Sequence, residues 1–108
     1  MADRRTCDRY RSLNFVSIDG RMYRTLDLSD GGMMIEMRYP PPLGAQFEVV
    51  AALGEEIVRF PVEVMRHVER GKLWTGVGVR FGKLARRASS ALERHIIARR
   101  IAEAKAKA

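Results

Sequence analysis

The sequence predicts a mainly β fold: a small six-stranded antiparallel β-barrel with one C-terminal α-helix. Three observations predict it. From Arg11 to Phe81 apolar and polar residues repeatedly alternate with a period of two, the mark of strands with one face on a core and the other in water. Residues suited to tight turns interrupt that alternation at short, regular intervals. After Gly82 the period changes to that of a helix.

The strands are expected near Ser12–Ile18, Arg21–Leu28, Met33–Arg38, Gln46–Leu53, Ile57–Val68 and Leu73–Phe81. Asp19-Gly20, Asp30-Gly31-Gly32, Pro40-Pro41-Pro42, Gly54-Glu55 and Arg70-Gly71 separate them. The clearest alternation sets Val58, Phe60, Val62 and Val64 inward and Arg59, Glu63 and His67 outward. Phe47, Val49, Ala51 and Leu53 repeat the inward pattern, as do Leu73, Val77, Val79 and Phe81, and Phe15 falls in the same apolar register. Pro61 takes an outward position, where a missing N–H is tolerated at an edge or bulge, so its strand is expected to bend or lose pairing there. The helix is read from Leu84, Ala88, Leu92, Ile96 and Arg100 at spacings of four, joined by Ile97 and Ile101. It covers residues 84–104 and ends in a fraying Ala-Lys tail. Six strands and one helix with regular turns favour a barrel with the helix on its side or mouth.

With 108 residues, 46% of them hydrophobic, the chain is expected to form one domain over 1–108: an arm at 1–11, a barrel at 12–82 and the helix. Its net charge is +7, and sixteen of the twenty basic residues are Arg, whose planar fork suits phosphate and stacked bases, so an anionic partner is expected. The longest apolar run, Val49–Leu53, is far short of the roughly 20 residues that span a bilayer. No apolar segment follows the charged N-terminus, so a cytoplasmic location is expected. Cys7 stands alone, and His67 and His95 lack metal-ligand spacing to it; no disulfide, metal site or cofactor is expected. The signatures of nucleophile elbows, phosphate loops and zinc proteases are missing, and an enzyme is not expected.

Two stretches carry chemistry. Arg4-Arg5-Thr6-Cys7-Asp8-Arg9-Tyr10-Arg11 places guanidinium groups four residues apart with little apolar matter to fix them, and alone reads as a solvated basic arm. Asp27-Leu28-Ser29-Asp30-Gly31-Gly32 ends the second strand in a turn with a carboxylate, a hydroxyl and two residues free to take positive φ, and alone reads as a tight turn.

Together they say more. An Arg-x-x-x-Arg arm at Arg5 and Arg9, an Asp-x-Ser-x-x-Gly turn at Asp27, Ser29 and Gly32, and the strand Gly76-Val77-Gly78-Val79-Arg80-Phe81 resemble the PilZ domain family over nearly the whole chain. The resemblance includes the Pro-Pro-x-Gly approach at Pro41–Gly44 and the terminal helix. It implies a bacterial receptor for the second messenger cyclic di-GMP. In that reading Arg5 and Arg9 bind phosphate and stack on guanine, with Arg4 a third arginine. Asp27 and Ser29 supply polar recognition, and Gly32 gives close approach to the backbone. The chemistry agrees: guanine offers O6 and N7 to an Arg fork, a flat face to a guanidinium, and N1–H and N2 donors to a carboxylate. Trp74, Gly76 and Gly78 are secondary candidates, their plainer role being strand twist and packing. The extra Arg4 permits a stacked pair of cyclic di-GMP molecules, and one or two per protomer remain open.

With three residues ahead of Arg4 and no output domain, a stand-alone adaptor is expected, signalling by ordering its arm and docking on an unidentified effector protein. The exposed side of the helix from Leu84 to Ala104 is a candidate docking face, and the oligomeric state is read as a monomer or a ligand-linked dimer. A barrel binding single-stranded nucleic acid is the rival suggested by the charge. Against it, Phe15, Phe47, Phe60 and Phe81 read as core, while Tyr10, Tyr23, Tyr39 and Trp74 are scattered among different elements. A PilZ-like assembly protein that binds no nucleotide is a further rival, opposed by the presence of all five motif positions.

Overall fold

A computed structural model of the chain describes residues 15–29 and 31–107. Six strands, β1 (Phe15–Ile18), β2 (Arg21–Leu28), β3 (Gly32–Met37), β4 (Gln46–Leu53), β5 (Glu56–Glu69) and β6 (Thr75–Phe81), precede one helix, α1 (Arg86–Lys107). The strands pair antiparallel in the order β1-β2-β3-β6-β5-β4, and β1 closes the barrel on β4 through Val16 opposite Ala51 and Ser17 opposite Val50. Turn chemistry sets the hairpins. Asp19 and Gly20 both take positive φ between the paired Ile18 and Arg21, the geometry that matches the right-handed twist of the flanking strands.

The interior is filled as alternation requires. Val16, Ile35, Val49, Phe60, Val64 and Val77 are the largest fully buried side chains, and Phe60 stacks on Phe81 with ring centroids 4.9 Å apart. On α1, Ala88, Ala91 and Leu92 are buried, with Leu84 ahead of the helix and Ile96 partly so. Glu56, at the start of β5, pairs with Arg94 and, at 4.0 Å, with Arg87, adding a charged tether at the edge of the apolar contact. Among the described residues, no helix is long and apolar enough to cross a membrane.

Several local expectations need correction. Phe15 is exposed, because it pairs with Arg24 on the outer register while its neighbour Val16 turns inward. Leu73 is exposed in the turn before β6 rather than in the strand. The ladder between β4 and β5 runs through Pro61 without interruption, Glu48 lying opposite it. The Pro61 carbonyl accepts the Gly82 N–H at 2.7 Å, so the N–H that proline lacks would have pointed the same way, beyond the last β6 partner, Phe81. The irregularity sits instead between Val64 and Arg66. That bulge reverses the parity of the rest of β5: His67 comes opposite inward-facing Val77, yet at the barrel's end it stays exposed, with Nε2 2.7 Å from the Pro41 carbonyl oxygen. The helix runs through the Ala-Lys tail to Lys107, and Ile97 and Ile101 stay half exposed.

Candidate functional site

The second strand ends in a turn held by its own hydroxyl. The Ser29 N–H donates to the Gly32 carbonyl at 2.9 Å, the Ser29 hydroxyl donates to the same oxygen at 3.3 Å, and the Gly31 N–H donates to Ser29 Oγ at 3.3 Å. The Gly31 carbonyl accepts the Phe81 N–H at 2.9 Å, which fastens the turn to the end of β6. Ser29 Oγ keeps one acceptor position, and it is aligned by two bonds before any ligand arrives.

Next to this turn the outer face of the barrel carries one cross-strand row. A bulge at Leu26, between the pairs Thr25–Ile35 and Asp27–Met34, turns Asp27 outward. Asp27 lies opposite Met34, Met34 opposite Gly78, and Gly78 opposite Arg66. The row therefore crosses four strands, about 14 Å at the usual strand spacing, with a carboxylate at one end and a guanidinium at the other. These residues, with Ser29, Gly31, Gly32, Met33 and Met65, line a cavity of about 250 Å³. The site offers acceptors at Asp27 and Ser29 and donors at Arg66, separated by a floor of methionine and glycine.

Glycine has a different function at each position. A Cβ on Gly32 would stand 2.1 Å from the Val79 carbonyl oxygen and 3.0 Å from Arg80 Cα, so the close approach at Gly32 is that of the β6 backbone. A Cβ on Gly78 would meet Arg66 Cγ at 2.9 Å and Nε at 3.1 Å; one on Gly76 would meet Met34 Sδ at 3.0 Å and Arg70 Cδ at 3.2 Å. The bare outer face of β6 thus lets long side chains from β3 and β5 lie flat across it. Arg66 and Arg70 have no ion-pair partner among the described residues, whereas nearby Arg80 is held by Glu63 at 3.0 Å.

Asp27, Ser29, Gly32 and Gly78 come together at this cavity, and Gly76 lies one row away. Trp74 does not join them; it lines a separate groove at the other end of β2. Arg4, Arg5 and Arg9 lie outside the described residues. Sequence reasoning missed Arg66, Met34 and Met65. The signal was the pair of glycines in β6, since glycine inside a strand marks a close approach by something else.

A family model described as PilZ domain matches residues 3–98. Among solved structures the chain is similar to the PilZ domain of CeSA from a cellulose-synthesizing bacterium, with a TM-score of 0.53, 21% identity, and coverage of 78% of this chain and 87% of that one. No curated protein sequence gives a significant match.

Proposed function

The chain belongs to the PilZ domain family, and from that membership we propose that it is a non-enzymatic receptor for cyclic di-GMP. The observation that carries the reading is the outer-face row from Asp27 through Met34 and Gly78 to Arg66 beside the Ser29 turn. It presents hydrogen-bond acceptors and a cation across a flat floor. Cyclic di-GMP needs all of these: its guanine N1–H and N2 groups seek acceptors, its phosphates and guanine O6 and N7 seek donors, and its rings need a surface to lie on.

Asp27 accepts from a guanine edge, and Ser29 Oγ bonds base or phosphate from its fixed position. Arg66, which has no ion-pair partner among the described residues, supplies a fork to phosphate or to the Hoogsteen edge of guanine. Arg5 and Arg9, at the motif positions of the family, bind phosphate and stack on guanine, with Arg4 a third arginine. Binding then alters the charge and shape of one barrel face, the change an effector protein reads.

The test is calorimetric titration of cyclic di-GMP into the purified chain, repeated with Arg5→Ala and Asp27→Ala and with GMP as a control. Saturable heat for the native chain, lost in both variants and not reproduced by GMP, supports the receptor and yields its stoichiometry. Absence of heat at moderate salt overturns it.

A further inference from the structure

At the opposite end of β2 and β3 the barrel carries a second groove, about 400 Å³, lined by Arg21, Met22, Glu36, Arg38, Tyr39 and Trp74 among others. We propose that this groove docks an acidic segment of a partner protein, inserting an aromatic or leucine side chain between Met22, Tyr39 and Trp74. The proposal concerns a different site and stands whether or not the receptor reading holds.

The side chains are those that dominate the energetic centres of protein interfaces, where Trp, Tyr, Met and Arg are enriched. They are also uncovered: Tyr39 is 81% exposed, Met22 65% and Trp74 44%, and Leu73 next to Trp74 is 57% exposed. A chain gains nothing in its own stability from presenting Met22, Tyr39 and Trp74 to water along one groove, and a patch of this kind marks an interaction site.

Charge selects the partner. With Arg24, the groove carries three arginines against the single carboxylate of Glu36, and neither Arg21 nor Arg38 has an ion-pair partner among the described residues. Arg38 lies 5.7 Å above the centre of the Tyr39 ring, which holds its guanidinium at the groove wall. A second copy of this chain is a poor occupant: its net charge is +7, and the sequence of α1 holds Arg86, Arg87, Arg94, Arg99, Arg100, Lys105 and Lys107 against Glu93 and Glu103. Single-stranded nucleic acid matches the charge, and Tyr23, Tyr39 and Trp74, scattered in the sequence, do meet at this groove. The surface is nevertheless wrong for stacked bases. Tyr23 packs against the core, Arg38 covers one face of Tyr39, and Met22 and Leu73 offer a base no ring to stack on.

The experiment is selection from a displayed library of random dodecapeptides against the nucleotide-free chain, with Trp74→Ala, Arg38→Glu and Met22→Glu as comparison baits, each verified as folded by circular dichroism. The native chain is expected to enrich peptides of net negative charge that share an aromatic or leucine position. A synthesised winner should shift the emission of Trp74, the only tryptophan in the chain, and bind each folded variant at least about tenfold more weakly, as expected for loss of an interface anchor. Failure to enrich any peptide, enrichment without acidic bias, or equal binding to the variants overturns the proposal. So does an oligothymidylate that quenches Trp74 more effectively than the winning peptide, an outcome that assigns the groove to nucleic acid.

Discussion

Arg66 lies across Gly78: the Cβ that residue 78 lacks would stand 2.9 Å from Arg66 Cγ. The side chain that brings a cation to the candidate site is thus laid down by the absence of another, two strands away from Asp27. Because the obstructing group in a Gly78→Ala variant is the flexible stem of an arginine, the fold should accommodate it, with stability changed by no more than about 1 kcal/mol. Arg66 must then lift off β6. Affinity for cyclic di-GMP is expected to fall about tenfold, the equivalent of a misplaced charge-assisted hydrogen bond. Calorimetry alongside urea unfolding checks both halves, and undiminished affinity would show that Arg66 does not need this path.

Gly32→Ala should behave in the opposite manner. Its Cβ meets the Val79 carbonyl at 2.1 Å, and backbone cannot step aside without opening the β3–β6 ladder. A loss of about 3 kcal/mol or more is expected, at the upper end of overpacking costs. The shift in urea midpoint measures it; a loss under about 1 kcal/mol is incompatible with a close-packed β3–β6 contact at this position.

Truncating Arg66 itself isolates binding from folding. Arg66→Ala removes an exposed cation without an ion-pair partner among the described residues, so stability should stay within about 0.5 kcal/mol. Cyclic di-GMP affinity should fall by about tenfold or more, since a charge-assisted hydrogen bond contributes roughly 1.5–3 kcal/mol. Arg80→Ala is the control: Arg80 is committed to Glu63, and its removal should leave the titration nearly unchanged.

The barrel was legible because alternation over Val58, Phe60, Val62 and Val64 and over Val49, Ala51 and Leu53 reports directly which face is buried, and because Asp19, Gly20 and Gly54 sit where hairpins need positive φ. The site was half legible. Asp27 and Ser29 are local in sequence, so a motif could find them. Arg66 was hidden because a bulge is a change of parity that alternation assumes away: counted from inward Val64, Arg66 should also face inward, yet it lies outside opposite Gly78. Phe15 misled for a similar reason, since a large apolar residue at a strand's start says nothing about register until its partner, Arg24, is known. The groove containing Tyr39 and Trp74 joins residues thirty-five positions apart through the closure of β3 on β6, which no local pattern records.

The helix gives the last prediction, because it can be held by apolar contact or by charge and the two respond differently. Leu92 is 3% exposed and packs in the apolar core with Ala88 and Ala91, while Glu56, itself partly buried, binds Arg94 and Arg87 through guanidinium groups that are well hydrated. Leu92→Ala should cost about 2–4 kcal/mol, combining lost transfer energy with the cavity left behind. Glu56→Gln should cost no more than about 1 kcal/mol, because exposed ion pairs gain little over hydrated ions. Ile97→Ala, at 50% exposure, should fall nearer the second value than the first. Urea unfolding followed by far-ultraviolet circular dichroism ranks the three. Were Glu56→Gln the most damaging, the helix would be an electrostatically docked arm whose hold weakens with salt. The expected order makes it instead an apolar wall of the barrel, its attachment insensitive to ionic strength.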